Sequence, residues 1–276
     1  MANIETGTND LLASVEDGVA TLVMNRPERR NALSGTMLTA MGTALSKFEA
    51  DPDVAVIVLT GAGGAFCAGG DVKGMAEGTG GGSTARAGSD LDSRIHAQRL
   101  SQRATAGKLR AIPKPTIASL PGAAAGAGLS LALACDLRIA ADNAVMTTAF
   151  AKVGFSGDYG GTYFLTQLVG SAKARELYFL SDRIDAKEAL RLGLVNWVVS
   201  ADRLAPETAA LAHKLARGPR VAYRYMKENL NRATAGEAEE CLDLEATHHV
   251  HTGLTEDHRE AARAFVEKRE PAFKGR

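Results

Sequence analysis

Two stretches of this chain carry almost no side chain beyond Cβ, and each follows directly on an apolar run. Gly61-Ala62-Gly63-Gly64-Ala65-Phe66-Cys67-Ala68-Gly69-Gly70-Asp71 comes after Val54 to Leu59, and Gly122-Ala123-Ala124-Ala125-Gly126-Ala127-Gly128 comes after Thr116 to Leu120. The β-branched run at Val54 to Leu59 reads as a strand buried on both faces and so paired in parallel. Glycine and alanine then let the backbone come close to whatever the turn meets. A dinucleotide fingerprint needs a third glycine where Phe66 and Leu131 stand, and no Gly-Lys-Ser/Thr follows either turn, so neither phosphate-binding pattern is met. The remaining reading is a pair of strand-to-helix turns, each aiming one N–H at one oxygen, with the dipole of a helix opening near Gly128 adding positive potential. Tight strand-helix packing is the alternative use of the same small residues.

The remaining patterns fit an α/β chain. A hairpin is predicted around Asp17-Gly18, a helix capped by Ser34 with Met37, Leu38, Met41, Leu45 and Phe48 inward, and strands at Leu137 to Ala140 and Val145 to Thr148. Helices follow at Tyr163 to Val169, Ala172 to Leu180 and Ala186 to Leu192, a strand at Val195 to Val199, and helical patterns from Pro206 onward. This divides into an α/β core at 1–200 and a C-terminal helical region at 201–276 whose charged, amphipathic pattern suits packing on another subunit, in oligomerisation, or on the core. The Gly/Ser/Thr-rich tract around Gly78 to Ser83 reads as a flexible loop within the core.

Charge removes several functions. Lysine plus arginine number 32 and aspartate plus glutamate 32, so the footprint of a nucleic-acid or anionic-membrane binder is missing. No apolar run approaches the ~18 residues of a membrane span, and the polar start is not a signal peptide. Three cysteines without a CxxC pair point to a reducing, cytoplasmic setting and to neither a disulfide frame nor a zinc site. Glycine, 29 of 276 residues, exceeds the usual ~7%, and the two turns and the loop tract account for the excess.

Together with Asn25-Arg26-Pro27, Asn31-Ala32-Leu33, Lys114-Pro115, Cys135-Asp136, Gly160-Gly161-Thr162, Ala189-Leu190-Arg191-Leu192-Gly193-Leu194-Val195 and Phe265-Val266-Glu267-Lys268-Arg269, the two turns resemble the crotonase, or enoyl-CoA hydratase/isomerase, family over nearly the whole chain. The resemblance implies a spiral of ββα units with a C-terminal trimerisation region, assembled as a homotrimer or as a hexamer built from two trimers. It implies an acyl-CoA thioester as substrate, with no separate cofactor and no metal. The Gly70 and Ala127 N–H groups would form an oxyanion hole for the thioester oxygen. Arg30, Ala32, Ala68, Asp71 and Val72 would bind the CoA moiety, and a neighbouring subunit's Phe265 and Lys268 would reach its nucleotide end.

The family's hydratases activate water between two glutamates, three and twenty-three residues after the second oxyanion donor. Here those positions hold Ser130 and Phe150, neither of which is a base for water at neutral pH. A different acid, Asp158, lies in Val153-Gly154-Phe155-Ser156-Gly157-Asp158, where the family's single-aspartate enoyl-CoA isomerases are similar. The expected reaction is conversion of a 3-enoyl-CoA to a 2-enoyl-CoA, with Asp158 as acid/base and an apolar acyl pocket of Phe66, Phe150 and Phe155 raising its pKa. Alternatively, Asp158 caps the helix starting near Gly161. A hydratase with an atypical site and a non-catalytic acyl-CoA binder are the competing functions. A dehalogenase branch places an aspartate nucleophile at the same point but needs a histidine where Arg103 stands, with His96 two turns earlier. Ser130 is expected to be a buried hydroxyl bonded to a backbone carbonyl, and adjacent histidines at 248 and 249 project apart, against a metal site.

Overall fold

The computed structural model describes residues 2–72, 74 and 90–276, so the tract expected as a loop at 78–83 lies outside the described residues. The main sheet runs β1 (Ala2–Ile4), β2 (Leu11–Glu16), β3 (Val19–Met24), β4 (Val56–Gly61), β5 (Thr116–Leu120), β7 (Leu137–Ala141) and β10 (Trp197–Val199), in that spatial order. The first three strands are antiparallel, and β3 through β10 pair in parallel. Asp17 and Gly18 both have positive φ, 48° and 79°, as the two-residue turn of the β2–β3 hairpin requires.

Side chains alternate across the sheet as the period of two dictates. Ile57 and Leu59 of β4 join the larger core with Ala118 and Leu120 of β5, beneath α1 (Gly35–Ala50) and α4 (Ala127–Ala134). Val56, Val58, Ile117 and Ile139 point the other way, against Leu204, Ala212 and Ala216 of α7 (Leu204–Ala216). Strand β4 is therefore buried on both faces, as its composition predicts. Helix α1 starts where expected, with Ser34 Oγ accepting the Met37 N–H at 3.1 Å.

Between α1 and β5 lie α2 (Leu91–Gln102), a π-turn at Arg103–Gly107 and α3 (Lys108–Ala111). A small sheet of β6 (Ala124–Ala125), β8 (Val145–Thr147) and β9 (Ile184–Asp185) stands beside the main one. Helix α5 (Gly161–Leu180) breaks at Gly170, φ 74° and ψ 164°, giving the two helical stretches the sequence implies. After α6 (Ala186–Arg191) and α7 come α8 (Arg220–Ala233), α9 (Ala238–Gly253) and α10 (Glu256–Glu267).

Helix α7 lies past residue 200, where the sequence reading starts the C-terminal region, yet it covers the second face of the sheet. Helix α8 is tied to the core by Lys227, a buried lysine that donates to Asp136 Oδ2 at 2.7 Å and to the Leu109 and Lys114 carbonyls. Helix α8 and the stretch beyond it leave Leu230, Leu242, Val250, Leu254, Phe265 and Val266 exposed.

Candidate active site

The first turn is held by a polar knot. Asn31, fully buried and with φ 57°, donates from Nδ2 to the Ala62 and Ala65 carbonyls, both at 2.8 Å, and accepts the Arg26 N–H on Oδ1 at 2.9 Å. Arg26 Nη1 donates to the Ala32 carbonyl and Nη2 pairs with Asp71 at 3.2 Å, while Arg29 lies 3.7 Å from the same carboxylate. Asp71 also accepts the Gly74 N–H at 3.0 Å, and this bond together with the two arginines holds its carboxyl below the usual range. Asp71, expected among the substrate-binding groups, thus has its carboxylate engaged within the protein, clamping the Arg26–Ala32 loop to the end of the turn. Arg30 (φ 50°, exposed), Ala32, Ala68 and the 48% exposed Val72 gather at this clamp, with the Ala68 N–H donating to the Arg30 carbonyl at 2.9 Å.

The two glycine-rich turns lie side by side. Cys67 pairs with Ala124 and Gly70 with Leu33 in isolated parallel bridges. Leu33 donates to the Gly69 carbonyl at 2.8 Å, so in the parallel pattern the Gly70 N–H faces away from Leu33, on the side of the second turn. A Cβ on Gly69 would sit 2.7 Å from the Ala125 oxygen and 3.3 Å from the Ala127 nitrogen. Gly126 has φ 53° and ψ −127°, a backbone state that disfavours any side chain, and it turns the chain so that Ala127 opens α4. As the first helical residue, Ala127 has an N–H with no partner inside the helix. The Ala127 N–H therefore opens the positive end of α4 close to Gly69, the neighbour of Gly70 in the first turn. Packing explains other glycines: a Cβ on Gly61, Gly122 or Gly128 would come within 2.4 Å of backbone oxygen.

Asp158 lies in the loop that leads into α5. A Cβ on Gly161 would be 2.3 Å from Ser130 Oγ and 2.5 Å from the Tyr178 hydroxyl, which brings the start of α5 against the first turns of α4. Asp158 Oδ1 is buried without a hydrogen-bond partner. Burial alone pushes this carboxyl up to about 6. The same carboxylate helps raise the proton affinities of Cys67, Tyr159 and Tyr178, so it stands close to the first turn and to α5. No side chain caps α5, and only the Asp158 backbone carbonyl meets the Gly161 N–H, at 3.0 Å. The side-chain cap considered from sequence is thus absent: Asp158 meets the helix start through its backbone carbonyl.

The expected aromatic wall is only partly present. Phe150 is buried, stacks on Tyr178 at 5.7 Å and lies against Gly126, whereas Phe66 is fully buried in the main core and Phe155 is 56% exposed. Tyr178, on which Phe150 stacks, is the aromatic side chain that stands near Asp158. Tyr178 was absent from the sequence reading, and its place in α5, twenty residues past Asp158, gave no signal of it. Ser130 is buried and donates to the Gly126 carbonyl at 3.2 Å, as expected. Phe265 is 86% exposed and Lys268 is exposed at the end of α10. His96 and Arg103 are likewise on the surface. His248 is buried, with Nδ1 against Asn229 Oδ1 and its ring on Tyr225, and no cluster of three metal-ligating side chains occurs among the described residues.

The family model described as enoyl-CoA hydratase/isomerase matches residues 14–276. A 1,2-epoxyphenylacetyl-CoA isomerase of Escherichia coli K12 is 35% identical over 266 residues, covering 96% of this chain and 98% of that protein. Among solved structures, an enoyl-CoA hydratase from Polaromonas sp. JS666 superposes with a TM-score of 0.87 at 33% identity, covering 96% of this chain and 99% of the other. An enoyl-CoA hydratase subunit I from Geobacillus kaustophilus HTA426 gives 0.86 at 36% identity, covering 97% and 98%. With the paired turns in place and these matches spanning almost the full length, the chain belongs to the enoyl-CoA hydratase/isomerase, or crotonase, family, whose enzymes act on acyl-CoA thioesters.

Proposed function

We propose that the protein moves a double bond, converting a 3-enoyl-CoA to a 2-enoyl-CoA. The observation that carries this reading is the Asp158 carboxyl, one oxygen of which is buried without a partner and which is raised to about 6, in a site whose two hydratase glutamate positions hold Ser130 and Phe150. Asp158 takes a proton from C2, and the electron pair passes into the thioester carbonyl. The Gly70 and Ala127 N–H groups hold the resulting enolate oxygen. The same carboxyl then returns its proton at C4, leaving the double bond between C2 and C3. One carboxyl suffices because the proton is relocated and no water is consumed. A proton affinity near neutrality suits a group that both accepts and returns a proton.

Arg30, Ala32, Ala68 and Val72 carry the CoA moiety beside the clamp. The exposed apolar faces of α8 to α10 pack on further copies in a trimer or hexamer, which brings a neighbour's Phe265 and Lys268 to the nucleotide end. The kinship to a protein named 1,2-epoxyphenylacetyl-CoA isomerase supports isomerisation of an acyl-CoA as the class of reaction. Water addition is the second reading, favoured by the structures named as hydratases. Assay of 3-enoyl-CoA isomerisation beside hydration of crotonyl-CoA separates the two. Isomerisation in the parent enzyme, abolished in Asp158→Asn, supports the proposal, and full isomerisation in Asp158→Asn refutes it.

A further inference from the structure

We propose that Gln102 and Tyr159 are positioning residues, a latch from the end of α2 that fixes the Asp158 carboxyl in its buried setting. The inference rests on the reading of Asp158 as acid/base. Asp158 sits between two residues of positive φ, Gly157 at 115° and Tyr159 at 49°. For a tyrosine this backbone is unfavourable by about 1–2 kcal/mol and persists only where surrounding contacts impose it.

Those contacts come from one short stretch of α2. The Tyr159 N–H donates to Gln102 Oε1 at 2.8 Å, and the Tyr159 hydroxyl meets Ser101 Oγ at 3.1 Å, with Gln98 facing the same hydroxyl. The Tyr159 side chain is buried, and Ser101 is in turn fixed by Thr105 Oγ1, which donates to the Ser101 carbonyl at 2.8 Å. The peptide group that follows the Asp158 α-carbon is thus held at both of its polar atoms, its carbonyl by the Gly161 N–H and its N–H by Gln102. Rotation of Tyr159 into an ordinary backbone state would break the Gln102 bond and swing the Asp158 side chain out of its apolar surroundings. Gln102 ends α2, directly before the π-turn at Arg103–Gly107, a local irregularity of a kind common beside functional sites. The ionisable groups facing Asp158 are Cys67 from the first turn, Tyr159 beside it and Tyr178 from α5, all held neutral by burial.

The test compares Gln102→Ala, Gln102→Glu, Tyr159→Phe and Asp158→Asn in the full chain, measuring 3-enoyl-CoA isomerisation against pH. Misplacing a catalytic group by about 1 Å costs on the order of 10²-fold, so Gln102→Ala is expected to lose roughly that in kcat while KM stays near the parent value. Its acidic limb in kcat/KM moves down from about 6 towards the ordinary carboxylate range as Asp158 becomes solvated. Gln102→Glu keeps the acceptor oxygen and retains most of kcat, with the limb moved upward by the added negative charge. Tyr159→Phe removes only the hydroxyl contact and gives an intermediate loss, so the idea stays testable if Gln102→Ala does not fold. An unchanged kcat and limb in Gln102→Ala, or in Tyr159→Phe where that variant must stand in, overturns the latch while leaving an inactive Asp158→Asn to uphold the acid/base reading. A fully active Asp158→Asn removes the acid/base reading itself.

Discussion

The Asp71 clamp and the Asp158 loop put the same side chain in opposite circumstances. Asp71 accepts from Arg26 and from the Gly74 N–H, with Arg29 close by, and is held below the ordinary carboxylate range. Asp158 has one buried oxygen with no partner and is pushed up to about 6. A carboxylate with donors stabilises a fold, whereas one without them is costly to ionise and is correspondingly ready to take a proton. In the proposed mechanism the difference separates a group that shapes the site from one that reacts in it.

The sharpest way to break this contrast is Asp158→Asn. Losing the proton-transfer group lowers isomerisation by about 10²–10⁴-fold. Stability moves the other way. A group whose folded pKa is raised contributes stability below its unfolded pKa and loses it as pH rises through the folded value, here from about 4 to about 6. At pH 7 to 8 the asparagine variant is therefore more stable than the parent by up to about 3 kcal/mol, and the gain disappears below about pH 4. Urea midpoints at both pH values measure this. A destabilised variant at pH 8 contradicts the claim that Asp158 is an unpaired acid. In the parent enzyme, kcat/KM rises with pH through about 6, because Asp158 must start ionised to take the C2 proton.

Gly69→Ala tests the gap between the two regions. The new Cβ would stand 2.7 Å from the Ala125 oxygen and 3.3 Å from the Ala127 nitrogen, at a φ of +87°. Forcing the turns apart removes one oxyanion donor from reach, a loss on the order of 10²–10³-fold in kcat. Kinetics of the folded fraction near the parent value would separate the turns from the chemistry.

Asp71→Asn acts on stability first. It keeps the volume but removes the charge that Arg26 and Arg29 share, and a lost charged hydrogen bond costs about 1.5–3 kcal/mol. The sign opposes that of Asp158: a lowered folded pKa stabilises above the unfolded value of about 4 and is lost as pH falls through the folded one, so the cost appears at pH 7 and shrinks in acid. Denaturation curves at pH 7 and at pH values stepped down below 4 check it.

The longer strands and the two glycine-rich turns were legible because hydrophobic alternation and glycine declare themselves in one dimension, whereas the short β1, β6 and β9 were not. Strand β4 with its two buried faces, the Ser34 cap and the paired turns all followed from local pattern. Helix α2 did not, because its one buried residue is Ser101 and it shows no apolar stripe. Asn31 was equally silent: it stood in a quoted motif, but its four hydrogen-bonding neighbours lie at Arg26, Ala62, Ala65 and Cys67. Phe155 and Phe66 were assigned to one wall because composition cannot say which way a loop side chain turns, and the chain exposes the first and buries the second. What the sequence concealed is polar, buried and long-range, the class of contact for which no periodicity exists.

The smallest expected effect sharpens the contrast most finely. Ser130 occupies one of the two positions where the family's hydratases carry a glutamate, and Gly161 brings it close to the Asp158 loop. Its hydroxyl donates to the Gly126 carbonyl at 3.2 Å, and that carbonyl also accepts the Ser130 N–H at 3.0 Å. Ser130→Ala therefore leaves no acceptor unsatisfied and costs about 0.5–1 kcal/mol in stability. If Asp158 alone moves the proton, isomerisation in Ser130→Ala stays well within a factor of about ten of the parent, less than 1.4 kcal/mol of barrier. A loss of about tenfold or more would mean that Ser130 helps place a water or an acyl group, and Asp158 would no longer be the site's one acting side chain.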